Sequence, residues 1–427
     1  MIQIEVLYSI FQQHPEVTTD SRNCPAGSIF FALKGESFDG NAYARQALES
    51  GCSYAVIDEP EYMNHLDYRM ILVPDALEAL QQLANYHRRQ LQIPIIGVTG
   101  TNGKTTTKEL IAAVLGKKYN VLYTQGNFNN HIGVPKTLLR LTRQHEMAVI
   151  EMGANHPGEI RTLVNIVEPD YGIITNVGKA HLLGFGSFEG VIRTKGELYD
   201  YLRGHGGKAF INENNEHLMG IADGLELIRY GNNGQLIDCN PYLHFQLGDN
   251  EVQTRLIGAY NIDNALAAAC IGKHFQVEQA DICDAISSYT PSNNRSQLKQ
   301  TERNTLIIDA YNANPTSMRA ALENFAQMDL PNKMLIIGDM KELGEASREE
   351  HNKIIQLLYS YSFPLVWMVG EEFPAAAADI PNGSSSYIFF HDVEEVKVAL
   401  EKMEVSGRTI LIKGSNSTRL FTLVDML

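Results

Sequence analysis

A short glycine-rich segment, Gly100-Thr101-Asn102-Gly103-Lys104-Thr105-Thr106, follows directly after the apolar stretch 93–99. This order of residues predicts a buried strand, a tight turn and the start of a helix. In that geometry the backbone N–H groups and a lysine point toward a bound phosphate chain. The chain is therefore expected to contain a parallel-sheet domain that binds a nucleoside triphosphate.

The segment departs from the usual phosphate-loop pattern, which has a glycine where this chain has Val98. The shortened GxxGKT form keeps two glycines, which permit backbone conformations and close approaches that a Cβ atom would obstruct. A tight turn that carries an exposed lysine is the alternative interpretation. The strand pattern before the segment and the helix pattern after it favour the phosphate loop.

Composition narrows the class of protein. The length of 427 residues, with 44% hydrophobic and 20% charged residues, predicts a globular chain of three domains without a membrane span. A net charge of -15 argues against nucleic-acid binding, which needs a basic face. The first residues lack a secretion-signal pattern, and the five cysteines form no CxxC pair, so neither disulfides nor zinc is indicated. A cytoplasmic location is expected.

Alternating strand and helix patterns predict an α/β fold of three domains. We expect a small α/β domain at 1–91, a central P-loop domain with a mostly parallel sheet at 92–294, and a C-terminal Rossmann-like domain at 295–427. The second boundary is placed in the polar, turn-rich segment 289–294, after which a new series of strands begins.

Thr105 and Glu151 are the candidate magnesium ligands. A magnesium-nucleotide site needs a hydroxyl beside the phosphate-binding lysine and an acid at the end of a neighbouring strand. Thr105 follows Lys104, and Glu151 closes the strand pattern 147–151. A lone glutamate in such a place is more often an exposed strand terminus, but the phosphate loop upstream favours the metal role.

Two further features allow two interpretations each, and the local sequence of a third favours one. The turn 124–135 contains Asn129 and Asn130, which either simply form a loop or donate hydrogen bonds to a polar substrate. His181 follows a strand and is either structural or a contact for metal or phosphate. Lys195 opens a helix-like stretch, where the local sequence favours an ordinary solvated lysine.

Polar loops in the last domain follow two strands of its predicted sheet, at 309–315 and 338–344. We expect these strands to be neighbours, so that their loops form one binding face. Because the phosphate loop belongs to the preceding domain, the active site is predicted in a cleft between domains, which closure would assemble.

With these motifs in place, the chain resembles the Mur ligases, the amide-forming enzymes of peptidoglycan assembly, along its whole length. Their phosphate loop has the short form TGTNGKTTT, and the fit is to the MurF type, which adds D-Ala-D-Ala to a UDP-N-acetylmuramoyl (UDP-MurNAc) tripeptide. The matching segments are 99–107, 126–130, 151–156, 180–182, 184–187, 309–315, 338–340 and 413–415.

The resemblance implies a reaction and its partners. ATP, with Mg²⁺, phosphorylates the terminal carboxylate of UDP-MurNAc-tripeptide, and the amine of D-Ala-D-Ala attacks the acyl phosphate. The first domain would bind UDP, the second ATP, and the cleft would exclude water. No nucleic-acid partner and no membrane insertion are implied, and a monomer is expected.

The resemblance also implies roles for individual residues. Lys104 would hold the β- and γ-phosphates, Thr105 and Glu151 one magnesium ion, and His181 a second. Lys195 matches a lysine that family members carbamylate, which would make it a metal-binding or orienting anion. The remaining positions are the nucleotide contacts Asn261, Arg295 and Asp309, the UDP contacts Ser21 and Arg22, and the substrate-facing Asn129, Asn130, Asn312, Asn314 and Asp339. Asn41, Leu183 and Asn416 depart from the family's pattern and are given no role.

Two other functions fit parts of the sequence. A folylpolyglutamate synthase shares the phosphate loop and the amide-forming chemistry, but that family lacks a UDP module before the loop. A nucleotide-switched binding protein would hydrolyse the triphosphate only to change shape. Dependence of phosphate release on both UDP-tripeptide and D-Ala-D-Ala would distinguish the three.

Overall fold

The fold is known from a computed structural model, which describes residues 2–291, 294–361, 363–378 and 387–427. It is the expected α/β class, built from three successive parts that each contain a mostly or wholly parallel sheet. The domain limits 1–91, 92–294 and 295–427 remain predictions, and Ser292 and Asn293, beside the second limit, lie outside the described residues. Among the helices described, none combines the length and the apolar composition needed to cross a bilayer.

The N-terminal part is built on a four-stranded parallel sheet of order β1-β2-β5-β6, with a small hairpin, β3-β4, beside it. Its strands are Val17–Thr18 (β1), Ile29–Phe31 (β2), Lys34–Gly35 (β3), Phe38–Asp39 (β4), Tyr54–Ile57 (β5) and Met70–Leu72 (β6), and its helices are Ile4–Gln13 (α1), Ala44–Glu49 (α2) and Ala76–Leu91 (α3). Helix α3 packs against the central part, whose side chains share its hydrophobic core.

The central part contains a six-stranded sheet of order β12-β11-β10-β7-β9-β8, parallel throughout. Its strands are Ile95–Thr99 (β7), Val121–Tyr123 (β8), Met147–Glu151 (β9), Tyr171–Ile174 (β10), Lys208–Asn212 (β11) and Glu226–Tyr230 (β12). Its helices are Lys104–Leu115 (α4), Gly133–Leu138 (α5), Glu159–Val167 (α6), Leu182–Phe185 (α7), Phe188–His205 (α8), Glu216–Met219 (α9), Ile262–His274 (α10) and Gln279–Ser288 (α11). Every residue of β7 and β9 is buried, as both faces of the sheet are covered.

A three-stranded antiparallel sheet interrupts the alternation that the sequence predicts for the central part. It consists of Gly234–Cys239 (β13), Tyr242–Leu247 (β14) and Asn250–Ile257 (β15). Most of β13 is exposed, so it lacks the apolar character that marks the parallel strands. The apolar face of this sheet packs with α4 and α10 in a second core.

The C-terminal part has a six-stranded sheet of order β16-β17-β21-β18-β19-β20, in which only the edge strand β16 runs antiparallel. Its strands are Gln297–Gln300 (β16), Thr305–Asp309 (β17), Lys333–Gly338 (β18), Leu365–Val369 (β19), Tyr387–Phe390 (β20) and Thr409–Lys413 (β21). Its helices are Pro315–Gln327 (α12), Ser347–Tyr361 (α13), Glu372–Ala377 (α14) and Val393–Lys402 (α15).

The expectation that the strands ending near 309 and 337 are direct neighbours is wrong, because β21 pairs with both β17 and β18 and lies between them. This insertion brings a third strand end, Lys413, to the same edge of the sheet. The binding face of this domain is therefore built from three strand ends.

Candidate active site

The phosphate loop connects β7 to α4, and its two glycines are required by its geometry. Gly100 and Gly103 have φ values of 140° and 76°, in the region that side chains disfavour. A Cβ atom on Gly100 would collide with the hydroxyl of Thr175, and one on Gly103 would collide with the amide of Asn264. The loop can therefore lie flat against its neighbours at the N-terminus of α4, where anions bind.

Side chains from the end of β10 hold this loop in shape. The N–H of Asn102 donates to Asn176 Oδ1 at 3.0 Å, and the hydroxyl of Thr175 donates to the carbonyl of Asn102 at 2.6 Å. Neither Thr175 nor Asn176 was assigned a role from the sequence, although their place after a strand of the same sheet was a usable signal. Their bonds fix the loop before any ligand binds.

Lys104 is the first residue of α4. Its Nζ donates to the carbonyls of Gly100 at 2.8 Å and Thr101 at 3.1 Å. Burial is the main cause that lowers the pKa of Lys104 to about 8; the carboxylate of Glu151 opposes this shift and the cation of Arg295 adds to it. An ammonium in such surroundings gains strongly from an anionic partner, because the low local dielectric strengthens their attraction.

Glu151, at the end of β9, is buried with its carboxylate fully engaged. Its Oε2 accepts from the hydroxyl of Thr105 at 3.0 Å, and its Oε1 accepts from the amide of Asn129 at 2.8 Å. Its backbone N–H donates to Thr124 Oγ1 at 2.9 Å. The structure thus places the two predicted magnesium ligands in direct contact and gives Asn129 a position beside them.

This donor set suits magnesium better than a transition metal. A hydroxyl and one carboxylate supply hard oxygens, and Mg²⁺ is commonly held by one or two carboxylates together with phosphates and water. Within the described ranges no three His, Cys, Asp or Glu side chains gather in a way that could hold a metal by themselves. The residues present therefore fit a metal that arrives with a nucleotide.

A cavity of about 780 Å³ opens beside the loop and is lined by all three parts of the chain. Leu77 and Gln81 contribute from α3, and Thr316 and Lys413 from the C-terminal part. The predicted site residues that line it are Thr101, Asn102, Gly103, Lys104, Thr106, Asn129, Asn130, Glu151, His181, Asn261, Arg295, Asp309 and Asn312. The structure therefore brings most of the predicted residues to a single cleft.

The C-terminal wall of the cavity carries two cations in fixed positions. The guanidinium of Arg295 lies 3.8 Å from the ring centroid of Tyr311. Lys413 is buried and donates to Asp309 Oδ2 at 2.6 Å and to the carbonyl of Asn312 at 3.2 Å. Asp309 is thus paired with a lysine of the same domain.

Asn261 supports the loop from the opposite side. Its amide donates to the carbonyl of Ile257 at 2.8 Å, and its Oδ1 accepts from Asn264 at 2.8 Å. Asn264 in turn accepts from the hydroxyl of Thr107 at 2.9 Å. Asn261 therefore lines the cavity as part of a chain of hydrogen bonds that reaches the base of α4.

Lys195 is not the solvated lysine that its local sequence favours. It lies within α8, is 2% exposed, and its Nζ donates to the carbonyl of Ala154 at 3.3 Å and lies 5.3 Å from the ring of Phe185. Burial, with a contribution from the nearby cation of Lys104, puts the pKa of Lys195 well below its ordinary value. Its hydrogen-bond partner Ala154 lines the cavity, whereas Lys195 itself does not.

His181 lies at the start of α7, with a φ of 50°. Its Nδ1 contacts the carboxylate of Glu342, which belongs to the C-terminal part. Burial lowers the pKa of His181, although Glu342 acts in the opposite direction. The imidazole lines the large cavity and also a smaller one of about 260 Å³ between the central and C-terminal parts.

Besides Lys195, six predicted residues are absent from the lining of the large cavity: Gly100, Thr105, Ser21, Arg22, Asn314 and Asp339. Gly100 and Thr105 are buried, in the phosphate loop and in the first turn of α4. Ser21 and Arg22 lie in the N-terminal part. The guanidinium of Arg22 makes a bidentate hydrogen bond to the carboxylate of Asp20, at 2.9 and 3.0 Å. Asn314 lines the smaller cavity, where its amide donates to Asn102 Oδ1 at 2.7 Å while its own Oδ1 caps α12.

Asp339 lines neither cavity. It is fully buried, and its carboxylate accepts the backbone N–H groups of Glu371 and Glu372 at 3.0 and 3.2 Å. Lys341 also donates to it at 3.2 Å. These contacts fix the start of α14 and do not favour the substrate contact that the resemblance implies for Asp339.

His351 fixes the loop that follows β18. Its Nε2 accepts the N–H of Met340 at 3.0 Å, so its proton lies on Nδ1, which donates to the carbonyl of Ser347 at 2.8 Å. Burial lowers the pKa of His351 in the folded state. Because the ring takes up a second proton near pH 6.5 in the unfolded chain but only at lower pH in the folded one, His351 stabilises the fold fully above pH 6.5 and less as the pH falls below it.

We therefore expect the stability advantage of the wild type over a His351→Gln variant to shrink as the pH is lowered from 7.5 to 5.5. Thermal unfolding of both proteins across this range measures it. His205→Gln, which changes an exposed histidine, is the control and should show a constant difference. A constant difference for His351→Gln would contradict the assignment of a neutral ring.

Comparison with known proteins agrees with this geometry. Three family models match the chain: "Mur ligase family, catalytic domain" at residues 15–88, "Mur ligase middle domain" at 98–272 and "Mur ligase, glutamate ligase domain" at 294–416. The UDP-N-acetylmuramoyl-tripeptide--D-alanyl-D-alanine ligase of Bacillus subtilis is 35% identical over 425 residues, which cover 96% of this chain and 92% of the relative.

Solved structures of MurF proteins are also similar to this chain along nearly its whole length. A MurF crystal structure from Acinetobacter baumannii has a TM-score of 0.87 and 30% identity, covering 99% of this chain and 98% of the other. A MurF ligase from Thermotoga maritima, solved in complex with ADP, has a TM-score of 0.83 and 25% identity, covering 100% of this chain and 98% of the other.

Proposed function

The chain belongs to the Mur ligase family, and from this premise we propose that it uses ATP to join D-Ala-D-Ala to UDP-MurNAc-tripeptide. The product is the pentapeptide precursor of peptidoglycan. The observation that carries the proposal is the cavity in which the phosphate loop of the central part faces the strand ends of the C-terminal part. A nucleotide and a carboxylate acceptor can meet there away from bulk water.

The chemistry follows from the poor reactivity of a carboxylate. An oxygen of the tripeptide carboxylate attacks the γ-phosphorus of ATP, and the bond to ADP breaks, which yields an acyl phosphate and ADP. The amine of D-Ala-D-Ala then attacks the acyl carbon, phosphate leaves, and the amine loses a proton. Lys104 and the N–H groups at the start of α4 stabilise the charge on the migrating phosphoryl group.

Thr105 and Glu151 are proposed to hold magnesium together with the phosphates. Their contact at 3.0 Å and their hard oxygen atoms support this assignment. The ion would neutralise negative charge on the β- and γ-phosphates. His181 and carbamylated Lys195 are proposed to serve a second ion, as the resemblance implies.

Replacing Glu151 with glutamine is expected to raise the magnesium concentration needed for nucleotide binding by at least about 10-fold. Glutamine keeps the contact with Asn129 but loses the charge that attracts the cation. Titrating Mg²⁺ against a fluorescent ATP analogue measures the effect. Glu226→Gln, at the far edge of the sheet, is the control, and an unchanged magnesium requirement in E151Q would contradict the role.

The remaining assignments are also proposals. Ser21 and Arg22 would bind the uridine diphosphate, for which Arg22 would have to exchange its partner Asp20 for phosphate. Asn129 and Asn130 would face the tripeptide. The proposed contacts to the dipeptide or the nucleotide are Asn312, Asn314, Asn261, Arg295 and Asp309. A monomer in the cytoplasm, where ATP and UDP-linked precursors are available, completes the proposal.

The proposed function is tested by giving the purified chain UDP-MurNAc-tripeptide, D-Ala-D-Ala, ATP and Mg²⁺. We expect one UDP-linked pentapeptide for each phosphate released, and little phosphate when either substrate is omitted. Tripeptides ending in diaminopimelate and in lysine should both be offered. Equal phosphate release without the dipeptide would support a nucleotide switch, and ligation of glutamate to a folate would support the folylpolyglutamate alternative.

A further inference from the structure

The loop after β18 reaches across to the central part and meets the start of α7. The carboxylate of Glu342 contacts Nδ1 of His181, and the carbonyl of Glu342 accepts the N–H of Leu183 at 3.0 Å. The side chain and the backbone of Glu342, in the C-terminal part, therefore both bind the segment that contains His181.

Both partners have unusual backbone conformations. His181 and Glu342 have φ values of 50° and 63°, in the left-handed region that residues other than glycine rarely adopt. Such conformations persist only where surrounding contacts enforce them, and they concentrate at functional sites. The strained pair thus marks a contact that the fold maintains at a cost.

An ion pair joins the same two parts of the chain nearby. Lys179 donates to Glu350 Oε1 at 2.8 Å, and its backbone N–H donates to Thr316 Oγ1 at 3.2 Å. Lys179 lines neither cavity. This pair provides a comparison, because it also crosses between the two parts but does not touch the imidazole.

We propose that Glu342 is a positioning residue, which orients the imidazole of His181 toward the cleft only when the C-terminal domain is seated on the central domain. A carboxylate only accepts hydrogen bonds, so the ring must place its proton on Nδ1. The lone pair is then on Nε2, as in carboxylate–histidine pairs that prepare a ring nitrogen for a cation or a phosphoryl group. The kinetic consequence of this proposal rests on the proposed ligase function.

The arrangement couples domain position to the chemistry. The central domain supplies the histidine, and the C-terminal domain supplies the group that fixes its proton. With the domains apart, His181 loses this acceptor and its ring can rotate and change tautomer. The site would therefore be complete only in the arrangement that also shields an acyl phosphate from water.

The test compares Glu342→Ala and Glu342→Gln with Glu350→Gln. In E342A the acceptor is lost, and kcat should fall by about 10- to 100-fold, while KM for ATP changes less than about 3-fold. E342Q keeps a neutral acceptor and should retain most of the activity. E350Q weakens the contact between the domains without touching His181 and should leave kcat near the wild-type value.

A second readout does not depend on turnover. Nitrogen NMR of histidine-labelled protein, with the His181 signals identified through a His181→Gln variant, reports which ring nitrogen carries the proton. We expect the Nδ1–H form in the wild type and in E342Q, and its loss in E342A. The proposal would be overturned if E342A kept both the wild-type tautomer and the wild-type kcat, or if kcat fell equally in E342A and E350Q. Absence of ligation by the wild type would instead refute the proposed function, while the NMR result would still decide the role of Glu342.

Discussion

Replacing Lys104 with alanine is expected to lower kcat for ligation by about 1,000-fold or more. The ammonium lies at the start of α4, held against the carbonyls of Gly100 and Thr101, where it faces the cavity. Its charge matters most when the γ-phosphoryl group is in transit, and water cannot replace it in a partly closed cleft. Steady-state release of phosphate, in the presence of all substrates, measures the effect.

Two controls separate this charge effect from damage to the fold. Lys117→Ala removes an exposed lysine just beyond the same helix and should leave kcat unchanged. Lys104→Arg keeps the charge with a different shape and should recover only part of the activity, because a planar guanidinium does not reproduce a compact ammonium. Near-normal turnover by K104A would contradict the phosphate-binding role of the loop.

Replacing Lys195 with methionine is expected to reduce ligation by a similar factor, about 1,000-fold, without lowering the thermal unfolding temperature. Lys195 is 2% exposed, and methionine fills a similar volume. The substitution also removes a buried amine, which in the wild type donates to the carbonyl of Ala154 at 3.3 Å. The fold should therefore be preserved or stabilised while the proposed carbamate is lost. Activity and unfolding temperature, measured on the same preparation, separate the two effects.

The carbamate itself can be detected. The neutral amine of Lys195 adds to carbon dioxide, forming an N–C bond with loss of one proton, so wild-type activity should fall in carbon dioxide-free buffer and return with bicarbonate. Mass analysis of the trapped carbamate should locate one added carbon dioxide at Lys195. Lys208→Met, at a half-buried lysine of β11, is the control and should retain this dependence. Full activity of K195M would contradict both the carbamate and the metal role.

The phosphate loop and its acid could be predicted because their signals are local. Two glycines and a lysine between a strand and a helix leave few alternatives, and a glutamate at the end of a parallel strand lies at the ligand edge of the sheet. The structure places Glu151 against Thr105 as this reasoning requires. The contact of Asn129 with Glu151 could not be predicted, because it depends on how the turn packs across 22 residues of sequence.

Contacts between domains were the least predictable. The pairing of His181 with Glu342 spans 161 residues, and no local pattern relates the two. Asn314 illustrates a signal that was available: it precedes Pro315 at the first position of α12 and accepts from Ser317, as a helix cap does. Asp339 similarly anchors the start of α14. The antiparallel sheet at 234–257 was missed because its first strand is largely exposed and lacks an apolar run.

The central claim is that ATP activates the tripeptide carboxylate by phosphorylating it in the interdomain cleft. The most direct measurement uses UDP-MurNAc-tripeptide whose terminal carboxylate carries heavy oxygen, followed by mass analysis of the phosphate released during ligation to D-Ala-D-Ala. The account predicts that each phosphate contains one heavy oxygen, because that atom bridges carbon and phosphorus in the acyl phosphate. Formation of the pentapeptide with unlabelled phosphate would contradict it.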